Sequence, residues 1–151
     1  MNFYVYDHCS GSLSVPANLR EEVQQAIGLI AVKPKHGAAR KLRESFLDAL
    51  KALGWSGVLA VSIGSDMTIT STKERVGLCL QTGNMARIYA DLIKLQALYL
   101  DGAISSAVIV LPSQPVAQLL GSNIAQAKRL ERELDIFKKA YHVPTLIFAL
   151  E

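Results

Sequence analysis

The chain has 151 residues, room for one domain with a self-sufficient core. Half of them are hydrophobic and 19% are charged. That balance excludes intrinsic disorder, and no apolar run approaches the ~20 residues that cross a bilayer. Sixteen Lys and Arg against 13 Asp and Glu leave a net charge of +3, which permits a polyanionic partner without demanding one. Cys9 and Cys79 are the only cysteines, too few for a disulfide framework or a cysteine-based zinc site. The N-terminus has no basic stretch and an early acid, Asp7, so no signal peptide is expected. The expected setting is the cytoplasm, with no membrane partner.

Aromatic and β-branched residues over Asn2–Tyr6 predict a first strand. After a Gly/Ser turn a helix opens near Pro16, with Leu19, Val23, Ile27 and Ile30 on one face. Pro34 and Gly37 make 32–38 a loop. A second helix runs from about Ala39 to Leu53, burying Leu42, Phe46, Leu50 and Leu53, and Gly54 stops it. The period then shortens, and 58–63, 67–71 and 75–81 read as three strands of an antiparallel meander. A third helix over 86–100 aligns Ile88, Leu92, Leu95 and Tyr99. The unbroken apolar run 107–111 predicts a strand buried on both faces, with Pro112 and Pro115 marking its exit. The Ser113–Ser122 segment reads as an ordinary connection. A fourth helix is expected over about 122–140 and a last strand over 145–150. The whole is one α/β domain, 1–151, with a central mixed sheet flanked by helices. The strand–helix–strand unit between Arg75 and Leu111 should be a parallel crossover.

One stretch is more specific than these patterns. Ile69-Thr-Ser-Thr-Lys-Glu-Arg-Val-Gly-Leu-Cys-Leu-Gln-Thr-Gly-Asn84 resembles the active-site meander of BglII-type restriction endonucleases, a branch of the PD-(D/E)XK nuclease superfamily. The family pattern is hydrophobic–Asp–x–x–Lys–x–x–Val–x–hydrophobic–Glu–x–Gln–x–Gly–(Asn/Lys). The similarity continues through Tyr89–Lys94, Leu98–Ile104, Ala107–Pro112 and Val143–Phe148. It implies a restriction-endonuclease-like fold, double-stranded DNA as partner and a homodimer. For the family it also implies two carboxylates holding Mg²⁺, which activates water and neutralises charge on the phosphate.

On that pattern the catalytic positions are Thr70, Cys79 and Gln81, and both acids are missing. Lys73, Val76, Gly83 and Asn84 stand where expected. Mg²⁺ needs hard oxygen ligands, a thiol is a poor one, and a hydroxyl brings no charge. The resemblance therefore implies a degenerate nuclease with no cofactor expected and no metal ligands; Mg²⁺ returns only if other acids substitute. Glu44, as a second-helix acid aimed at the sheet, is one candidate. Asp66, about 13 Å from Thr70 along a strand, and Asp91 on the third helix are others. Each is more simply a solvated surface carboxylate.

DNA contacts are expected from Lys73, Arg75 and Asn84 of the motif. A basic run adds Lys35, Arg40, Lys41 and Arg43, where a loop meets a helix start. The bland alternatives are a solubilising face for the run and a helix cap for Asn84. Cys79 in an apolar strand is more simply a small buried hydrophobe than a nucleophile. His8, His36 and His142 lack metal-ligand spacing. Three readings follow. The first is a pseudo-nuclease that binds DNA or a partner in restriction or defence. The second is an active Mg²⁺-dependent endonuclease with relocated acids. The third is a dimeric scaffold without nucleic acid.

Overall fold

The computed structural model describes all 151 residues. Its centre is set by two runs that are buried along their whole length. β6 (Ser106–Pro112) and β7 (Thr145–Leu150) lie parallel, with Ala107 beside Thr145 and Leu111 beside Ala149. Successive side chains point to opposite faces of a strand. Ala107, Ile109, Leu111, Ile147 and Ala149 therefore join one core, and Val108, Val110, Leu146, Phe148 and Leu150 join the other.

The sheet grows outward from this pair. β1 (Phe3–His8) adds antiparallel to β7, and β5 (Val76–Leu80) adds parallel to β6. β4 (Ser71–Lys73) closes the far edge antiparallel to β5, giving the order β1-β7-β6-β5-β4. The β4–β5 turn is only Glu74-Arg75, both left-handed at φ 47° and 63°, as a tight two-residue hairpin requires. The parallel β5–β6 pair confirms the expected crossover, carried by α4 (Ala86–Leu100).

Helices cover both faces. α4 and α6 (Ala127–Phe137) bury Ile88, Leu92, Leu95, Leu130 and Leu134 on the first core. α2 (Ala17–Gly28) and α3 (Ala39–Ala52) bury Leu19, Val23, Ile27, Leu42, Phe46 and Leu50 on the second. A single turn, α1 (Gly11–Ser14), rests on β7. A Cβ at Gly11 would fall 2.3 Å from the Thr145 carbonyl, so only glycine admits that approach. No helix is long and apolar enough to cross a membrane.

Three expectations are corrected. The meander is not one sheet: β2 (Leu59–Ala60) and β3 (Thr68–Ile69) form a separate two-stranded ribbon, and the chain passes from it to β4 through Thr70. The 113–122 connection contains α5 (Gln114–Leu120), where Pro115 occupies the first turn rather than marking a loop. The fourth helix begins later than expected. Asn123 is left-handed at φ 55°, and α6 starts only after Gln126, whose side chain accepts the Arg129 N–H.

Candidate functional site

In an open α/β sheet ligands bind beyond the carboxyl ends of the strands. Here the end of β5 opens into a cleft of about 580 Å³. Its floor is Thr70 and the Leu80–Gly83 segment; Arg40 and Arg43 of α3 line one wall, and Arg87, Asp91 and Lys94 of α4 the other. Residues 87, 91 and 94 share a helix face because four- and three-residue steps stack along it. Four cations thus converge on a cleft that holds one carboxylate.

The two motif positions are both spent internally. Thr70 lies where the edge strand leaves the sheet. Its N–H donates to the Leu78 carbonyl at 3.0 Å, and its Oγ1 accepts the Leu80 N–H at 2.9 Å. The hydroxyl thereby replaces a missing ladder carbonyl. Cys79 is 1% exposed. Burial, and then the Asp91 carboxylate, push its thiol pKa up, while the Thr70 backbone N–H, Lys94 and Arg43 lower it only in part. The sulfur is a neutral thiol at ordinary pH.

Gln81 orders the polar floor. Its Oε1 accepts the Gly83 N–H at 3.0 Å, and its Nε2 donates to Asp91 Oδ2 at 2.8 Å. Asp91 Oδ1 accepts from Lys94 Nζ at 3.2 Å. Arg43 donates to the Leu80 carbonyl at 3.0 Å and so ties α3 to the end of β5. The Arg87 side chain has no carboxylate partner.

This donor set does not fit the divalent cation that the resemblance implies. Mg²⁺ takes hard oxygens, usually with carboxylates among them. The floor presents a hydroxyl already engaged by a backbone N–H, a neutral thiol, and one carboxylate already shared by an amide and an ammonium. No three His, Cys, Asp or Glu side chains cluster together in the chain.

The expected site residues divide. Thr70, Gln81, Arg40 and Arg43 line the cleft, and Cys79 lies buried under it. Lys35 and Lys41 are exposed beside the start of α3 but do not line it. Glu44 does not aim at the sheet: it is exposed and bonds Arg40 at 2.8 Å, one turn back on the solvent side of α3. Asp66 is exposed and outside the cleft. Three residues expected at DNA make contacts within the fold. Lys73 Nζ bonds Glu22 at 2.8 Å and the Leu53 carbonyl at 2.7 Å. Arg75 donates to the Gly102 carbonyl at 2.9 Å, at the far end of β5. Asn84 Oδ1 accepts the Ala86 N–H at 2.8 Å at the start of α4, which is the capping alternative.

Sequence reasoning misses Arg87 and Lys94, and names Asp91 only as a substitute acid. Their signal is a polar stripe, 87-91-94, beside the apolar stripe Ile88, Leu92 and Leu95.

Two solved structures are similar over the whole chain. BglII complexed with a DNA 16-mer superposes with a TM-score of 0.86 at 12% identity, covering 99% of this chain and 76% of that one. Free BglII gives 0.77 at 13% identity, covering 100% and 80%. No curated protein matches. Identities this low establish the fold only. The family model for restriction endonuclease BglII/BglIII matches residues 1–150. The chain belongs to the BglII/BglIII restriction endonuclease family.

Proposed function

We propose that this protein is a pseudo-nuclease: it keeps the family's grip on duplex DNA and has lost phosphodiester hydrolysis. The observation that carries the reading is the pairing, in one cleft, of a cationic wall with a floor that has no free acid. Arg40, Arg43, Arg87 and Lys94 line the same cleft whose motif positions are an engaged hydroxyl and a buried thiol. BglII itself is seen complexed with DNA. Arginines suit phosphate recognition because the planar guanidinium offers paired donors. Lys35 and Lys41 extend the positive wall along the start of α3.

The biological setting under this reading is restriction or defence, inside a reducing compartment where Cys9 and Cys79 stay free. A duplex has two strands related by a dyad, which favours a homodimer. The apolar groove between α4 and α6, where Ile93 and Leu100 stand 71% and 74% exposed, is the surface we assign to the second copy. Ile93→Lys should leave a monomer by sedimentation.

The decisive experiment incubates plasmid and phage DNA with Mg²⁺ or Mn²⁺. It compares the wild-type chain with Thr70→Asp/Cys79→Glu. The wild type should bind without cutting, and the double variant should cut. Cleavage by the wild type that disappears in Asp91→Asn would replace this reading with an active nuclease whose acid has moved to α4, the one carboxylate the cleft contains. Absence of DNA binding would leave a protein-binding scaffold.

A further inference from the structure

The floor that fails as a metal site has the composition of a different cation site. We propose that the Lys94 ammonium is the resident cation of this cleft, held by Asp91, and that it makes phosphate binding independent of divalent metal. The inference rests on the DNA-binding reading above and specifies how that site works.

Mg²⁺ is held by one or two carboxylates with waters and substrate phosphates around it. The one carboxylate here has both oxygens engaged, by the Gln81 amide and the Lys94 ammonium. It is the right counter-charge for a univalent ammonium that is already tethered to the same helix. Asp91 and Lys94 stand three residues apart on α4, with Oδ1 and Nζ 3.2 Å from each other. Asp91 is in turn fixed through Oδ2 by Gln81, whose amide orientation is set by the Gly83 N–H. The chain Gly83–Gln81–Asp91 is therefore a positioning frame, and Lys94 is the group it holds.

The ammonium has donors to spare. It carries three N–H groups, and Asp91 is its only hydrogen-bond partner. The side chain is 21% exposed and lines the cleft together with Arg40, Arg43 and Arg87. Its charge also reaches the motif position itself, since Lys94 is among the groups that lower the Cys79 pKa against burial. A thiol tolerates a nearby ammonium, whereas the carboxylate it replaces in the family pattern would neutralise it. The loss of the acid at 79 and the presence of Lys94 are consistent parts of one arrangement. The ligand class is the phosphodiester backbone, bound as an anion with no reading of bases.

The test is fluorescence anisotropy on a labelled duplex over a range of NaCl concentrations. It is run once with EDTA and once with Ca²⁺ at matched ionic strength. Wild type, Lys94→Met and Lys94→Arg are compared, with thermal melting to confirm that each is folded. Wild-type affinity should be the same in EDTA and Ca²⁺. Lys94→Met should bind on the order of tenfold more weakly, as expected for one charge-assisted contact. Its log–log salt dependence should be shallower by about 0.9, the value for one phosphate neutralised. Lys94→Arg should restore that slope. Tightening of the wild type by Ca²⁺ would overturn the inference, as would a Lys94→Met variant indistinguishable from wild type. Either result leaves the DNA-binding reading standing. A wild type that binds no duplex in either condition overturns both.

Discussion

Two lysines of this protein are each 21% exposed in their side chains, and they are put to opposite uses. Lys73, on the edge strand, has all its donors engaged: both Glu22 oxygens at 2.8 Å and the Leu53 carbonyl at 2.7 Å. Glu22 also accepts the Trp55 Nε1–H at 2.8 Å, so the cluster is closed and electrically neutral. Lys94 makes one contact, at 3.2 Å, to Asp91, the only acid lining a cleft with four cations, of which Arg40 alone is paired outside it, with Glu44. Burial is the same, so it does not explain the difference. Counter-charge does: a cation matched by its own acid and carbonyl holds the fold, and cations in surplus are left for a partner.

The largest effect should come from opening the closed cluster. Glu22→Leu strands the Lys73 ammonium and the Trp55 N–H in a half-buried position. The expected loss is about 2 kcal/mol in urea unfolding, less than for a fully buried pair because water reaches this one. Glu22→Leu/Lys73→Met should recover most of it, since the uncompensated charge is then gone. DNA affinity should not move in either variant. If it falls, Lys73 belongs to the binding surface and the contrast between the lysines collapses.

The cleft should respond in the opposite way. Arg87→Gln removes a guanidinium that has no carboxylate partner, so stability should stay within about 0.5 kcal/mol of wild type. Duplex affinity at low salt should drop roughly tenfold, and the salt slope should lose about 0.9. A large change in urea midpoint with unchanged binding would assign Arg87 to the fold.

Sequence reasoning reaches different depths in these two regions. The elements around the cleft are plain where one period dominates. The 86–100 helix and the 145–150 strand coincide with α4 and β7, because an amphipathic stripe and a fully apolar run each admit one reading. α5 is hidden because Pro115 signals a loop exit as readily as a helix start. The split of the meander at Thr70 is hidden because a side-chain hydroxyl, not a backbone carbonyl, meets the Leu80 N–H. The motif locates Thr70 and Gln81, and charge density locates Arg40 and Arg43. The motif places Lys73 among the expected DNA contacts and is silent on its bond to Glu22, which lies 51 residues earlier, a pairing that no local pattern exposes.

A smaller effect tests whether the Thr70 hydroxyl belongs wholly to the fold. Thr70→Val keeps the shape and deletes the acceptor of the buried Leu80 N–H. About 1 kcal/mol should be lost, a fall in Tm of roughly 2–4 °C for a chain of this size. DNA affinity should be unchanged. A drop in affinity comparable with that of Arg87→Gln would mean that the hydroxyl serves the ligand after all.

The subtlest prediction concerns the charge beneath Lys94. An ionised Cys79 would place an anion under the ammonium and erode the surplus that distinguishes the cleft from the Lys73 cluster. Burial raises the thiol's pKa above its ordinary 9.0, so the folded protein holds a proton that the unfolded chain releases first. A group of this kind contributes its stability fully below its unfolded pKa and loses it as pH rises toward the folded value. Tyr4 acts in the same sense: burial, and then the Glu131 carboxylate, raise its phenol from 10.0 to about 12. Duplex affinity should therefore be flat from neutrality to about pH 9, because the cleft keeps its charge. Unfolding free energy should begin to fall above about pH 9 with Cys79 and fall further between 10 and 12 with Tyr4. Cys79→Ala should start from lower stability, having left a small cavity, but its alkaline decline should be shallower between about 9 and 10. An equally steep decline in that variant would mean that the thiol is not held neutral by the fold, and that the surplus of positive charge around Lys94 is smaller than the cleft's cations imply.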